Sequence, residues 1–126
     1  MSSADFHKYY VAYEKKDYAT ATRVLKSLAK QGDCLYQSDL GRMYYIGRGV
    51  TQNYKTAIKW YTLAAEQGWS TAQNNLGWMY YKGQGVTQNY KTAVKWYTLA
   101  AEQGNSYAQS NLGGMYEKGY AVPKDS

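Results

Sequence analysis

The sequence predicts an all-α fold, a solenoid in which antiparallel helix pairs stack with a period of 36 residues. Residues 50–68 read VTQNYKTAIKWYTLAAEQG and residues 86–104 read VTQNYKTAVKWYTLAAEQG, so the two segments differ only at Ile58 and Val94. Within each unit, apolar residues recur at the spacing of one helix face. A single helix pair cannot bury that face alone, and neighbouring units must therefore stack on one another.

The same offset holds outside these two segments. Gly41, Gly77 and Gly113 are separated by 36 residues, and Tyr18 with Tyr54 forms a weaker pair at the same spacing. We therefore predict a single solenoid domain, 1–126, with four parts. They are a degenerate helix pair at 1–33, full repeats at 34–69 and 70–105, and a partial repeat at 106–126.

The first helix of each repeat is predicted from apolar residues four positions apart. Ala72, Leu76 and Tyr80 fall on one helix face. Gly83 then ends the helix, because glycine adopts a positive φ without strain. Gly77 interrupts the helix at a cost of about 1 kcal/mol relative to alanine. Its recurrence in every repeat indicates that another helix approaches closely at this position.

The second helix of each repeat carries its own apolar face. Tyr90, Ala93 and Tyr97 share that face, and Gly104 ends the helix. Its start is predicted at a side chain that accepts a hydrogen bond from the first helical turn, and either Thr87 or Asn89 fits this role.

The composition is that of a folded domain. Hydrophobic residues make up 44% of the 126 residues, and 16 residues are tyrosine. This apolar content excludes the disordered class. No apolar run approaches the length of about 20 residues that crosses a bilayer. The net charge of +6 permits an acidic partner.

The compartment is predicted from the single cysteine and from the first residues of the sequence. Cys34 has no second cysteine with which to form an internal disulfide, which favours a reducing compartment. The first ten residues, MSSADFHKYY, lack the apolar segment of a signal peptide. We therefore expect a cytoplasmic protein. A secreted or periplasmic location stays open for a chain from which a signal peptide was removed.

A longer set of positions resembles a known repeat family. The second full repeat reads Ala72…Leu76-Gly77…Met79-Tyr80…Gly83…Gly85-Val86…Tyr90…Ala93…Trp96-Tyr97…Ala100-Ala101-Glu102-Gln103-Gly104, and the motif recurs from 40 to 68. This pattern resembles the Sel-one-like repeat (SLR), a relative of the tetratricopeptide repeat with a longer glycine-bearing loop. The resemblance implies a right-handed superhelix. It also implies a non-catalytic adaptor, often bacterial, that binds other proteins through a concave surface.

The sequence departs from the SLR pattern at a few positions. Leu63 and Leu99 stand where the family more often has a polar residue. Trp69 replaces the capping Asn or Asp, and Ser70 is the predicted substitute cap. Secreted members with two cysteines per repeat form a subgroup that this chain does not fit, since Cys34 is its one cysteine.

Binding residues are sought among the positions that vary between repeats, because a partner is not periodic. At about 100° per residue, the side of the first helices opposite the core carries Phe6, Ser38, Arg42, Tyr45, Asn74, Trp78 and Tyr81. Aromatic residues and arginine are enriched at binding hot spots, and the resemblance places this side on the concave surface. We hypothesise a groove that binds a protein segment, either a peptide or a helix, with Asn74 and Ser38 as hydrogen-bond donors. The alternative is an ordinary solenoid surface whose side chains stack on one another between repeats.

Two other functions are weaker alternatives. Lys55 and Lys59 recur as Lys91 and Lys95 on the second helices. Identical lysines accompanied by glutamate are typical of a solvated face, and no nucleic-acid motif is present, so no nucleic-acid partner is expected. Residues 27–30 read SLAK and match the S-x-x-K pattern of penicillin-binding enzymes. Penicillin binding has been proposed for some SLR proteins, but the companion motifs Ser-Asp-Asn and Lys-Thr-Gly are missing here.

Catalytic and metal-binding chemistry finds little support. His7 is the only histidine, and it lies far in sequence from Cys34. Neither full repeat offers the cluster of His, Cys or carboxylate side chains that holds a metal ion. We therefore expect no enzymatic activity, no cofactor and no metal. A weak penicillin-binding hydrolase is the least favoured alternative.

The last predicted repeat has a first helix, at about 106–118, and no second helix within the sequence given. Leu112, Met115 and Tyr116 would then be partly uncovered, whereas solenoids normally end in a polar cap. We therefore expect either a homo-oligomer formed through this helix or a structural piece of a longer array.

Overall fold

The computed structural model describes residues 3–121, and this range contains seven helices and no strand. The helices are α1 (Ser3–Glu14), α2 (Tyr18–Lys30), α3 (Cys34–Ile46), α4 (Tyr54–Glu66), α5 (Ser70–Lys82), α6 (Tyr90–Glu102) and α7 (Ser106–Glu117). Helix α3 precedes α5, and α4 precedes α6, by 36 residues. The all-α fold and the period of the repeat are therefore confirmed.

Helices that follow one another along the chain pack side by side, most extensively α3 with α4 and α5 with α6. Short connections such as 67–69 make such neighbours antiparallel. Hydrogen bonds also join alternate helices, because Trp78 of α5 contacts Tyr45 of α3 and Asn111 of α7 contacts Asn74 of α5. The odd-numbered helices α3, α5 and α7 thus lie next to one another on one side of the molecule.

The helix starts settle two of the sequence-based predictions. Helix α6 begins at Tyr90, and the Asn89 side chain accepts a hydrogen bond of 2.9 Å from the backbone N–H of Thr92. Asn89, rather than Thr87, is therefore the cap. The prediction that Ser70 caps α5 is wrong: Ser70 is the first helical residue, and Trp69 at the cap position makes no side-chain hydrogen bond. Its ring packs on the core instead.

The close helix approach predicted at the repeated glycine is confirmed in both full repeats. A Cβ atom built on Gly77 would lie 2.8 Å from Cδ1 of Tyr97, and one on Gly41 would lie 2.9 Å from Cδ1 of Tyr61. Both tyrosines are buried, at 1% and 2% exposure. Each large ring of a second helix therefore rests on the bare backbone of the first helix in its own repeat.

Glutamine side chains join consecutive repeats. Nε2 of Gln73, a buried side chain on α5, donates to the carbonyl of Ala65 at the end of α4, over 3.1 Å. Oε1 of Gln73 accepts a bond of 2.8 Å from Nε2 of Gln103 after α6. Gln37 repeats the pattern one unit earlier. The buried glutamine of each first helix therefore joins its repeat to the preceding one, and the glutamine of the AAEQG segment in the same repeat holds it in place.

Helix α7 is less covered than the corresponding helices. Leu40 of α3 and Leu76 of α5 are buried, whereas Leu112 of α7 is half-buried. The expectation that Met115 is partly uncovered is wrong, because it is 2% exposed. Tyr107 and Tyr116 are 75% and 49% exposed. Self-association through α7 stays a prediction, and these side chains are the surface it would use.

Candidate binding surface

A hollow lies on the side of the molecule where α3 and α5 are neighbours. Its volume is about 270 Å³. Three helices supply its walls, and the lining residues are Arg42, Tyr45, Ile46, Tyr61, Asn75 and Trp78. Rings and the Ile46 side chain dominate the wall, and Arg42 and Asn75 provide the polar groups. A space of this shape accepts one large side chain of a partner.

A second hollow, of about 320 Å³, lies between α5 and α7. It is more polar, and its lining includes Tyr81, Lys82, Ser110, Asn111 and Lys118. Trp78 lines both hollows. The two spaces therefore adjoin at one indole ring, on a surface that runs across α3, α5 and α7. We call this surface the odd-helix groove.

A short chain of hydrogen bonds fixes the wall that the two hollows share. The indole Nε1 of Trp78 donates to the hydroxyl of Tyr45 over 3.2 Å. That hydroxyl donates in turn to Oε1 of Gln84 over 2.7 Å. Trp78 nevertheless keeps 38% of its surface exposed. The ring is therefore held in place before a partner arrives, which reduces the ordering cost of binding.

The odd-helix groove is positively charged. Arg42, Lys82 and Lys118 line it, and no carboxylate of the described residues does. The Lys82 Nζ lies 5.4 Å from the centre of the Trp78 ring. The Lys118 Nζ donates to the Tyr81 hydroxyl over 3.3 Å, and this hydrogen bond is the main reason that the pKa of Lys118 is raised. Lys118 is therefore charged at neutral pH.

Four of the seven predicted binding residues line the groove. Arg42, Tyr45 and Trp78 line the first hollow, and Trp78 and Tyr81 line the second. The tyrosine hydroxyls bond to the following repeat, as the stacking alternative anticipates. A partner would therefore contact the exposed parts of the lining side chains rather than these hydroxyls.

The other three predicted residues lie outside the groove. Phe6 is 44% exposed on α1 and packs beside Tyr36, with 6.2 Å between ring centres. The placement of Ser38 as an outward donor is wrong, because Ser38 is 4% exposed where α3 packs in the core. Asn74 accepts a hydrogen bond of 3.0 Å from Asn111, so its side chain links α5 to α7.

Sequence reasoning missed several lining residues. Ile46, Asn75, Lys82 and Lys118 line the groove but were not predicted to do so. A signal was available for three of them, because Ile46 in one repeat is replaced by lysine at 82 and 118 in the next two. Variation at this repeat position marks a surface that the stack itself does not constrain.

Burial changes the acidity of the tyrosines beneath the groove. Desolvation is the largest cause that raises the pKa of Tyr61 and of Tyr97. It also raises the pKa of Tyr9 and of Asp39, whose carboxylate accepts a hydrogen bond of 3.1 Å from the Tyr9 hydroxyl. The neutral form of each tyrosine is therefore the one that the folded protein favours.

We expect the protein to lose stability above about pH 10, since the ordinary tyrosine pKa is 10.0. Deprotonation is harder in the folded state than in the unfolded chain, so the stabilisation present below pH 10 is lost as the pH rises. Tyr61→Phe and Tyr97→Phe should each move alkaline unfolding, followed by circular dichroism, to higher pH. Tyr107→Phe is the control, because Tyr107 is 75% exposed. Equal shifts in all three variants would contradict this account.

The remaining chemical motifs stay apart from the groove. Ser27 and Lys30 are exposed on α2, and neither lines one of the two hollows. Across residues 3–121, no group of three or more His, Cys, Asp or Glu side chains is placed to hold a metal ion. None of the described helices is long and apolar enough to cross a membrane.

Comparison with known proteins places the repeats in a family. The model of the Sel1 repeat matches residues 35–69, 70–105 and 106–126. A Sel1 repeat protein from Oxalobacter formigenes is 39% identical, with a TM-score of 0.82 over 88% of this chain and 46% of its own. The protein c5321, a protective antigen of uropathogenic Escherichia coli with an SLR fold, is 37% identical, with a TM-score of 0.86 over 94% of this chain and 27% of its own.

A third structure shares the fold at lower identity. Helicobacter pylori cysteine rich protein B is 22% identical, with a TM-score of 0.71 over 87% of this chain and 93% of its own. The chain spans less than half the length of the Oxalobacter and Escherichia proteins. Comparison with curated proteins gave no match. Because the three matches to the family model together cover residues 35–126, the chain belongs to the Sel1 repeat family.

Proposed function

We propose that this protein is a non-catalytic adaptor module that binds a protein segment in the odd-helix groove. One observation carries the proposal: two adjoining hollows meet at Trp78, a large aromatic side chain that is 38% exposed and already held by a hydrogen bond. Exposed tryptophan and arginine beside an apolar hollow are the features of binding hot spots.

The family supports the same function at a coarser level. Sel1 repeats commonly serve as scaffolds for protein–protein interaction. In this chain the core positions recur between repeats, whereas Arg42, Trp78 and Gly114 occupy one repeat position with three different residues. Residues that differ between repeats are not needed for stacking, so they are the ones that can select a partner.

Peptides selected from a random library against the purified protein test the proposal. Trp78→Ala should weaken the tightest selected peptide about tenfold or more, because hot-spot truncations remove about 2 kcal/mol or more of binding free energy. Leu63→Ala is the matched control, since Leu63 is 39% exposed but lies on α4, away from the groove. Isothermal titration gives each affinity, and circular dichroism checks that each variant is folded.

The opposite pattern would overturn the proposal. A peptide whose affinity falls with Leu63→Ala and not with Trp78→Ala binds the even-numbered helices instead. In that case the odd-helix groove is an ordinary surface between stacked repeats.

A further inference from the structure

We infer that the odd-helix groove is built for an extended, acidic segment of a partner protein with one large apolar side chain. This inference rests on the proposed function and adds the chemistry of the partner. It depends on the distribution of charge, on the different character of the two hollows, and on the state of the aromatic rings between them.

The charges of the groove are of one sign. Arg42 lines the first hollow, and Lys82 and Lys118 line the second, with no carboxylate among the described lining residues. The nearest acid along α3, Asp39, accepts a hydrogen bond from Tyr9 and lines neither hollow. Asp39 is close enough to interact electrostatically with Arg42, but an acidic segment would meet three lining cations and no lining carboxylate. This balance favours the association of an acidic segment over that of a neutral or basic one.

The two hollows suit different parts of the bound segment. Ile46, Tyr45 and Trp78 give the first hollow an apolar wall, which suits a leucine-sized side chain. The Arg42 guanidinium at its lining presents the planar donors that pair with a carboxylate. The second hollow has amide, hydroxyl and ammonium groups instead. We therefore expect an apolar residue over α3 and α5, with acidic residues beside it and toward α7.

The length of the bound segment follows from the spacing of the helices. Packed helices lie about 8–10 Å apart, so a segment that crosses from α3 over α5 to α7 spans about 20 Å. An extended chain advances about 3.3 Å per residue. About seven residues therefore cover the groove.

A single-stranded nucleic acid fits these cations less well. Base stacking needs an open ring face. The Trp78 ring instead packs at 5.9 Å from Tyr81 and carries Lys82 at 5.4 Å from its centre. The Tyr45 ring packs at 5.1 Å from Tyr54. With these faces in use, the groove offers side-chain hollows rather than a stacking platform.

Fluorescence anisotropy with short labelled probes tests the inference. The main probe is an acetylated, amidated peptide of about seven residues with one leucine among glutamates. Its neutral counterpart has glutamine in place of glutamate, and a third version ends in a free carboxylate. Oligothymidylate is the nucleic-acid probe. The acidic peptide should bind about tenfold tighter than the neutral one, since hydrogen bonds to charged groups are the stronger class, and this advantage should shrink with added salt.

Charge reversal at the groove supplies the specific variants. Arg42→Glu and Lys118→Glu should each remove most of the preference for the acidic peptide. Lys59→Glu makes the same change in net charge on α4, away from the groove, and should leave the preference in place. Circular dichroism verifies that each variant keeps its helix content.

The outcomes separate this inference from the proposed function. If acidic and neutral peptides bind equally and Trp78→Ala weakens both, the acidic inference fails and the proposed function stands. If no peptide responds to Trp78→Ala, the proposed function fails as well. Tighter binding of oligothymidylate than of the acidic peptide would also overturn the inference. If only the peptide with a free carboxylate binds, the inference of an internal acidic segment is overturned, and the groove recognises a chain terminus instead.

Discussion

Gly85→Ala is expected to lower the free energy of unfolding by about 3 kcal/mol. Gly85 has a φ of +76°, and an alanine there adds about 1–2 kcal/mol of backbone strain. Its Cβ atom would also lie 2.7 Å from the carbonyl carbon of Tyr54 and 3.0 Å from the backbone nitrogen of Lys55. Backbone atoms cannot rotate away, so the loop between α5 and α6 would separate from the start of α4.

Gly104→Ala is the matched control for this variant. Gly104 has a φ of +91°, but a Cβ atom there would have no neighbour within 4 Å. It should therefore lose only the strain contribution, about 1–2 kcal/mol. Urea unfolding of the two variants gives the difference directly. Equal losses would show that the contact between the loop and the preceding repeat contributes nothing.

Gly77→Ala and Gly113→Ala are expected to change stability in opposite directions, although both occupy the same repeat position. Alanine at 77 would push the buried Tyr97 ring, whose Cδ1 lies 2.8 Å from the new Cβ. Overpacking of this kind costs about 1–3 kcal/mol, which exceeds the gain of about 1 kcal/mol in helix propensity. At Gly113 a Cβ atom has no neighbour within 4 Å, so only the gain remains.

The midpoint of urea unfolding measures both effects. We expect a lower midpoint for Gly77→Ala and a higher one for Gly113→Ala, with a similar slope for each variant. A loss at both positions would contradict the role of the Tyr97 ring, because nothing in the described residues packs over Gly113.

These glycines also show how much of the fold the sequence predicts. A glycine that costs helix stability and yet recurs every 36 residues indicates a close contact, and Gly41 and Gly77 meet a tyrosine ring as expected. Helix ends were predicted equally well, since Gly83 ends α5 with a φ of +73°. Such features depend on local backbone geometry and on an environment that recurs in each repeat, and both can be read from the positions of the glycines in the sequence.

The binding surface was predicted only in part, and the failures have one cause. Helix periodicity gives the direction of a side chain around its own helix, but not the position of the neighbouring helices. Helix periodicity places Ser38 opposite the α3 core face, yet it is buried in the stack. Lys82 and Lys118 line a hollow that forms between two consecutive repeats, so their place in it depends on how α5 and α7 lie next to each other. The hydrogen bond from Trp78 to Tyr45 likewise joins two different repeats.

The same groove residues also stabilise the stack, which constrains how function is tested. The Tyr45 hydroxyl bonds to Gln84, and the Tyr81 hydroxyl accepts from Lys118 in the following repeat. Variants at these tyrosines would change stability together with binding. Arg42 is exposed and is the better position for separating the two effects. Trp78 is also exposed, but it donates a hydrogen bond to Tyr45 of the preceding repeat, so the stability of its variants is measured alongside binding.

The structure of the protein in complex with its tightest selected peptide tests the central proposal most directly. We predict that the peptide crosses α3, α5 and α7, buries the exposed part of the Trp78 side chain and places a carboxylate beside Arg42. A peptide bound instead on α4 and α6, around Leu63 and Leu99, would contradict the account.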